Sequence, residues 1–170
     1  GSLQTADMRA AYVDVLLSAY KGEKELRVAW DAGNGAAGEI METLCARLPG
    51  KHTALNAAID GTFPAHHPDP SVAENLAQLI ETVRAQKLDC GIAFDGDGDR
   101  IGVVDDEGEI LWGDQLLMLY SQEVLREKPG ATIIADVKAS QALFDWVEEL
   151  GGKPLMWKTG HSLIKAKMAQ

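Results

Sequence analysis

Three aspartates separated by single glycines, Asp95-Gly96-Asp97-Gly98-Asp99, follow the apolar run Cys90-Gly91-Ile92-Ala93-Phe94 and are closed by Arg100. Carboxylates this close repel one another, so a fold gathers them only with compensating positive charge. A divalent cation supplies it: Mg2+ takes hard oxygen ligands at about 2 Å and keeps positions open for water and phosphate. The glycines let alternate side chains converge instead of splaying. The adjacent guanidinium suits a phosphate or substrate oxygen sharing the site.

Two other acidic loops share part of this pattern. An EF-hand also places aspartates at its first, third and fifth positions. It needs glycine where Arg100 stands and a bidentate glutamate where Asp106 stands, and here the flanks are strands. A haloacid-dehalogenase-like phosphotransferase also carries Asp-x-Asp after a buried strand, but usually has threonine or valine two residues further on. Here that residue is Asp99, so three metal-binding carboxylates with none spare as nucleophile is the better reading.

Gly33-Asn34-Gly35-Ala36-Ala37-Gly38 matches the dinucleotide fingerprint. The acid expected at the end of the next strand is replaced by Asn56, and the charge of Asp31 would oppose a pyrophosphate. A tight turn with close helix–strand packing is favoured, with a dinucleotide-binding module as the alternative. His66-His67, between Pro64 and Pro68, is expected to hold a loop by hydrogen bonds. Lys138 and the run Lys158-Thr159-Gly160-His161 follow strand ends, where donors suit an anionic, hydroxyl-rich ligand such as a sugar phosphate.

The elements that must position these residues alternate. An amphipathic helix is predicted over 5–20, with Met8, Ala11, Tyr12, Val15, Leu16 and Ala19 on its apolar face. Strands are predicted at 26–30, 52–57 and 90–94, and at 101–104 and 110–112 around an Asp106-Glu107-Gly108 turn. Helices are predicted from the glycine turn to Leu48 and over 71–86, the latter opened by a Ser71–Glu74 capping box. Residues 61–70, with three prolines, read as a loop. A second unit follows, with helix 114–127, strand 132–136, helix 140–150, strand 154–157 and a helix from Ser162. The strand–loop–helix–strand plan ending its first strand in Asp31 repeats with Asp136. This defines an α/β fold: a layered mixed sheet with helices on both faces, plus an incomplete second α/β unit of similar plan.

At 170 residues and 46% apolar composition the chain can bury one core or slightly more. Residues 89–114 hold nine acids against one base, a local charge of −8 within a total of −10. Such a surface argues against nucleic acid or an anionic membrane as partner. Cys45 and Cys90 are too few for a disulfide framework and read as buried thiols of a cytoplasmic protein. No signal-like or membrane-spanning run occurs. Gly1-Ser2 resembles a cloning remnant and the chain stops within a helical pattern, so a piece of a longer protein is expected.

These motifs resemble those of the α-D-phosphohexomutases, the phosphomannomutase/phosphoglucomutase enzymes, and most closely their bacterial branch. The resemblance is carried by Asp95–Arg100, by Asp31–Gly38, by Phe63-Pro64-Ala65-His66-His67-Pro68-Asp69-Pro70 and by Lys158–Lys165, in the family's order. It implies a tag and linker or helix start at 1–8, the metal-binding second domain at 9–109, and the first half of the sugar-phosphate-binding third domain at 110–170. It further implies Mg2+ on Asp95, Asp97 and Asp99, with Arg100 as a catalytic residue beside the metal. Lys138, Gly160 and His161 would contact substrate. The parent enzyme would interconvert hexose 1-phosphate and hexose 6-phosphate through a phosphoserine, which this sequence lacks, and a bisphosphate. The piece alone is expected to be inactive, and beyond about Glu109 to be disordered or to pair between chains by exposed edges or segment exchange.

Overall fold

The computed structural model describes residues 1–22 and 24–170, which divide into two compact units, Gly1–Ile110 and Leu111–Gln170. The first unit contains α1 (Arg9–Ala19), β1 (Leu26–Asp31), α2 (Gly38–Cys45), β2 (Gly50–Leu55), α3 (Ala77–Gln86), β3 (Cys90–Phe94) and β4 (Ile101–Asp105), and β5 (Ile110–Leu111) begins at its last residue. Its five-stranded sheet has the order β2-β1-β3-β4-β5. β1 runs parallel to both β2 and β3, whereas β3 and β4 are antiparallel.

Alternation along the strands assigns the two faces. Ala29 and Ala93 point to the α3 side, where Leu76, Leu79, Val83, Leu88 and Val104 complete one core. Trp30 and Phe94, one residue further along, point to the opposite side and pack with Ala32, Met41, Cys45 and Ala57. The sheet is therefore covered on both faces. Leu79 lies fully buried at the centre of the α3 core. Leu79→Ala is expected to cost about 2–5 kcal/mol, the usual range for emptying such a position, read as a drop in the denaturation midpoint of the first unit.

The second unit contains α4 (Gly113–Glu127), β6 (Thr132–Asp136), α5 (Gln141–Glu149), β7 (Lys153–Trp157) and α6 (His161–Met168). β6 and β7 pair in parallel, Asp136 opposite Trp157. Leu125, Ile133, Ala135, Leu143, Phe144 and Val147 form its core. Asp114 joins the starts of two helices: its carboxylate accepts the Gln115 amide at the head of α4 and the Ser140 amide at the head of α5, both at 3.0 Å. The segment after residue 109 thus carries regular elements with a core of their own.

Several local expectations are corrected. α1 begins at Arg9 and buries Val13 with partial cover of Leu16 and Leu17, while Met8, Tyr12 and Val15 are exposed. Apolar residues ring this helix, so periodicity alone did not single out the face that packs on α2. The capping box at Ser71 does not form. The Ser71 hydroxyl and amide both donate to Asp69, and Ala73–Leu76 is a 3-10 turn leading into α3. β2 starts at Gly50 and ends at Leu55. The two thiols are half-buried instead of buried, and burial pushes the Cys45 thiol up to about 11.

Candidate metal centre

The apolar β3 strand ends at Phe94 and delivers Asp95 to the carboxyl edge of the first sheet. The loop then turns back into β4 within six residues. The Gly98 amide donates to the Asp95 carbonyl at 3.1 Å, and Gly98 takes a φ of 75°, a conformation glycine adopts without steric cost. The outcome is convergence: one carboxylate oxygen from each of Asp95, Asp97 and Asp99 lies within 4.8 Å of the others. Oxygens on opposite sides of a small octahedral cation are about 4.2 Å apart. A modest rotation of the exposed Asp97 and Asp99 side chains closes that difference, so the donor set fits a hard divalent cation.

The three acids are electrostatically unequal. Asp95 is 2% exposed. Burial pushes its carboxyl up, but the Arg100 amide on Oδ1 at 3.0 Å and the Arg100 Nε on Oδ2 at 2.7 Å overcome that and hold it below the usual carboxylate range. Asp99 is pushed up, chiefly by the charge of Asp97. Arg100 also lies 3.6 Å from Asp99 and 3.6 Å from Asp69. It neutralises part of the acidic loop and orients Asp95. Asp69 belongs to the Phe63–Pro70 motif, and its one separate signal in the sequence is the Asp-Pro-Ser turn, in which the Ser71 amide and hydroxyl hold its carboxylate.

The glycine-rich turn is closed to a pyrophosphate by the chain itself. A Cβ on Gly35 would lie 2.8 Å from the Gly96 carbonyl, and one on Gly38 would lie 1.9 Å from the Ala57 carbonyl. The close approach that the fingerprint reserves for a ligand is made here by the acidic loop and the segment after β2.

In the second unit, Lys138, Gly160 and His161 all follow the carboxyl ends of the paired strands β6 and β7. The Lys138 amide donates to Asp136 Oδ1 at 2.8 Å, and its exposed Nζ lies 3.6 Å from Oδ2. Burial pushes Asp136 up, but that amide and the other groups around it hold the carboxyl low. His161 opens α6, exposed, 3.2 Å from the Ser162 hydroxyl. The four loop residues Asp95, Asp97, Asp99 and Arg100 thus gather in the first unit, and Lys138, Gly160 and His161 on one strand edge of the second.

A glycine-spaced acidic loop at the carboxyl edge of a mixed α/β sheet offers the oxygen donors that a hard divalent cation takes. Comparison with known proteins identifies the family. Residues 9–108 match Phosphoglucomutase/phosphomannomutase, alpha/beta/alpha domain II, and residues 112–170 match alpha/beta/alpha domain III. The chain belongs to the phosphoglucomutase/phosphomannomutase family. It is 47% identical over 170 residues to a phosphomannomutase/phosphoglucomutase of Pseudomonas putida, covering all of this chain and 37% of the relative. It is 44% identical over 168 residues to a phosphoglucomutase of Neisseria gonorrhoeae, covering 99% of this chain and 36% of that protein. A crystal structure of a family protein from Burkholderia thailandensis superposes with a TM-score of 0.93 at 47% identity, over 99% of this chain and 37% of that one. The chain therefore spans little more than a third of the length of these relatives.

Proposed function

We propose that this chain supplies the metal-binding domain, residues 9–109, and part of the sugar-phosphate-binding domain, residues 110–170, of a Mg2+-dependent phosphohexomutase. The observation that carries this reading is the convergence of Asp95, Asp97 and Asp99 beside Arg100 in a chain of this family. Asp95, Asp97 and Asp99 hold the cation, which when bound withdraws charge from a phosphoryl oxygen. Arg100 keeps Asp95 ionised and aligned. Its Nη2 makes no hydrogen bond among the described residues and is left to donate to phosphoryl oxygen. Lys138 and His161, with the Gly160 turn beside them, bind the anionic hydroxyl-rich substrate. The parent reaction interconverts hexose 1-phosphate and hexose 6-phosphate of mannose or glucose, through a phosphoserine and a bisphosphate. Among the described residues no helix is long and apolar enough to cross a membrane; phosphorylated sugars and two free thiols fit the cytoplasm.

The test is turnover of glucose and mannose 1-phosphates by a longer protein that includes this chain. Activity should vanish on chelation and return with Mg2+, whereas the 170 residues alone should show none; metal-independent turnover would refute the reading. Binding should also depend on pH in one direction. Asp99 takes a proton before Asp95 does, because its carboxyl is pushed up and that of Asp95 is held low. Mg2+ affinity should fall as pH is lowered from about 7 towards about 4, beginning above the ordinary carboxylate range, and calorimetric titration reads the slope.

A further inference from the structure

Asp31 ends β1 with no solvent exposure, and the chemistry proposed above does not use it. Its Oδ1 accepts from the Gly33 amide and the Asn56 side-chain amide, both at 2.9 Å, and its Oδ2 lies 2.9 Å from His66 Nε2. The second ring nitrogen of His66 lies 3.0 Å from the His67 carbonyl. One buried side chain thus joins the glycine-rich turn, the residue after β2 and the proline-rich loop.

Those same segments grip the acidic loop at Gly96, the residue between two of its aspartates. The Ala36 amide, on the glycine-rich turn, donates to the Gly96 carbonyl at 2.9 Å. Phe63 and Pro68, on the proline-rich loop, flank the other side, where a Cβ on Gly96 would lie 3.6 and 3.5 Å from them. β1 and β3 are adjacent, with Asp31 opposite Ala93, so the clamp and the loop share one end of the sheet. We infer that Asp31 and His66 are positioning residues: they fix the two segments that hold Gly96, and thereby set the convergence of the metal-binding carboxylates. The inference rests on the metal reading above, and gives the outer support for its three ligands.

The two obvious variants at Asp31 differ in what they break. Asp31→Asn keeps the acceptor for Gly33 and Asn56, and its amide nitrogen can donate to a neutral His66 ring whose Nδ1–H then serves the His67 carbonyl. Asp31→Ala removes every bond at once. Calorimetric titration of the 170-residue chain with Mg2+ should show Asp31→Ala weakened about 10–100-fold and Asp31→Asn within about 3-fold of the unaltered chain. Amide hydrogen exchange at Gly98 and Arg100, whose N–H groups bond the Asp95 carbonyl and carboxylate, should speed up in Asp31→Ala. It should not speed up selectively in Leu79→Ala, which loses stability without touching the clamp. If Asp31→Ala does not fold, His66→Ala, altered on a loop, takes its place with the same expected losses. A folded alanine variant with unchanged affinity and unchanged exchange at Gly98 and Arg100 overturns the inference. Absence of Mg2+ binding by the unaltered chain refutes the metal reading instead, and the exchange measurement then still decides whether Asp31 and His66 hold the loop.

Discussion

Asp97→Asn should abolish Mg2+ binding by this chain at millimolar metal, and mutase turnover by any longer protein that carries it. Asp95 is committed to Arg100 through two hydrogen bonds and is the most firmly held carboxylate of the three. Asp97 and Asp99 are exposed and supply the charge still available to a cation. Removing Asp97 takes away one of those two charges and leaves Asp95 and Asp99 against Arg100, so the loop's net charge falls from −2 to −1 and the pull on a cation weakens. Loss of an outer-sphere partner typically weakens a metal site about 10–100-fold, and loss of a ligand should exceed that. The same substitution removes the main cause of the raised Asp99 carboxyl, so residual binding should also become less dependent on pH. Asp106→Asn, on the hairpin turn outside the three-aspartate cluster, is the charge-matched control and should leave affinity within about 3-fold. Near-normal binding by Asp97→Asn would mean that the cation, if any, is held elsewhere.

Gly38→Ala should be among the most damaging single methyls in the first unit. The new Cβ would meet the Ala57 carbonyl at 1.9 Å, a contact with backbone that no side-chain rotation relieves. α2 must then lift from the segment after β2, disturbing the packing of Met41, Ala32 and Ala57. Overpacking of this kind costs about 1–3 kcal/mol, and a rigid obstacle puts the expectation at the upper end or beyond. For a domain of this size that corresponds to a fall in Tm on the order of 10 °C. Gly61→Ala, where a Cβ meets nothing, should stay within about 0.5 kcal/mol of the unaltered chain.

The strands, the acidic loop and the repeated unit plan were readable because they are local: β3 and Asp95–Arg100 carry their pattern in eleven consecutive residues. The function of the glycine fingerprint was readable by elimination, through Asn56 and Asp31. What was not legible depends on partners distant in sequence. The face of α1 is chosen by α2, and Arg47 and Glu39 of that region pair with Asp14 and Arg9. Ser71 is diverted from helix capping by Asp69, whose position is in turn set by the loop. The Asp31–His66 bond spans 35 residues, and no spacing rule announces it.

One proline also gives the second sheet a direction. The Lys153 amide donates to the Ala131 carbonyl, so odd-numbered residues of β7 turn their backbone groups towards β6 and even-numbered ones turn away. Pro154 therefore places its missing N–H on the outer margin of β7, where a further strand would need a donor. The outer margin of β6 keeps its amides at Ile134 and Asp136. Growth of this sheet is biased: the missing donor of Pro154 disfavours a strand beside β7, whereas β6 offers an unbroken outer margin beside the carboxylate that anchors the Lys138 loop.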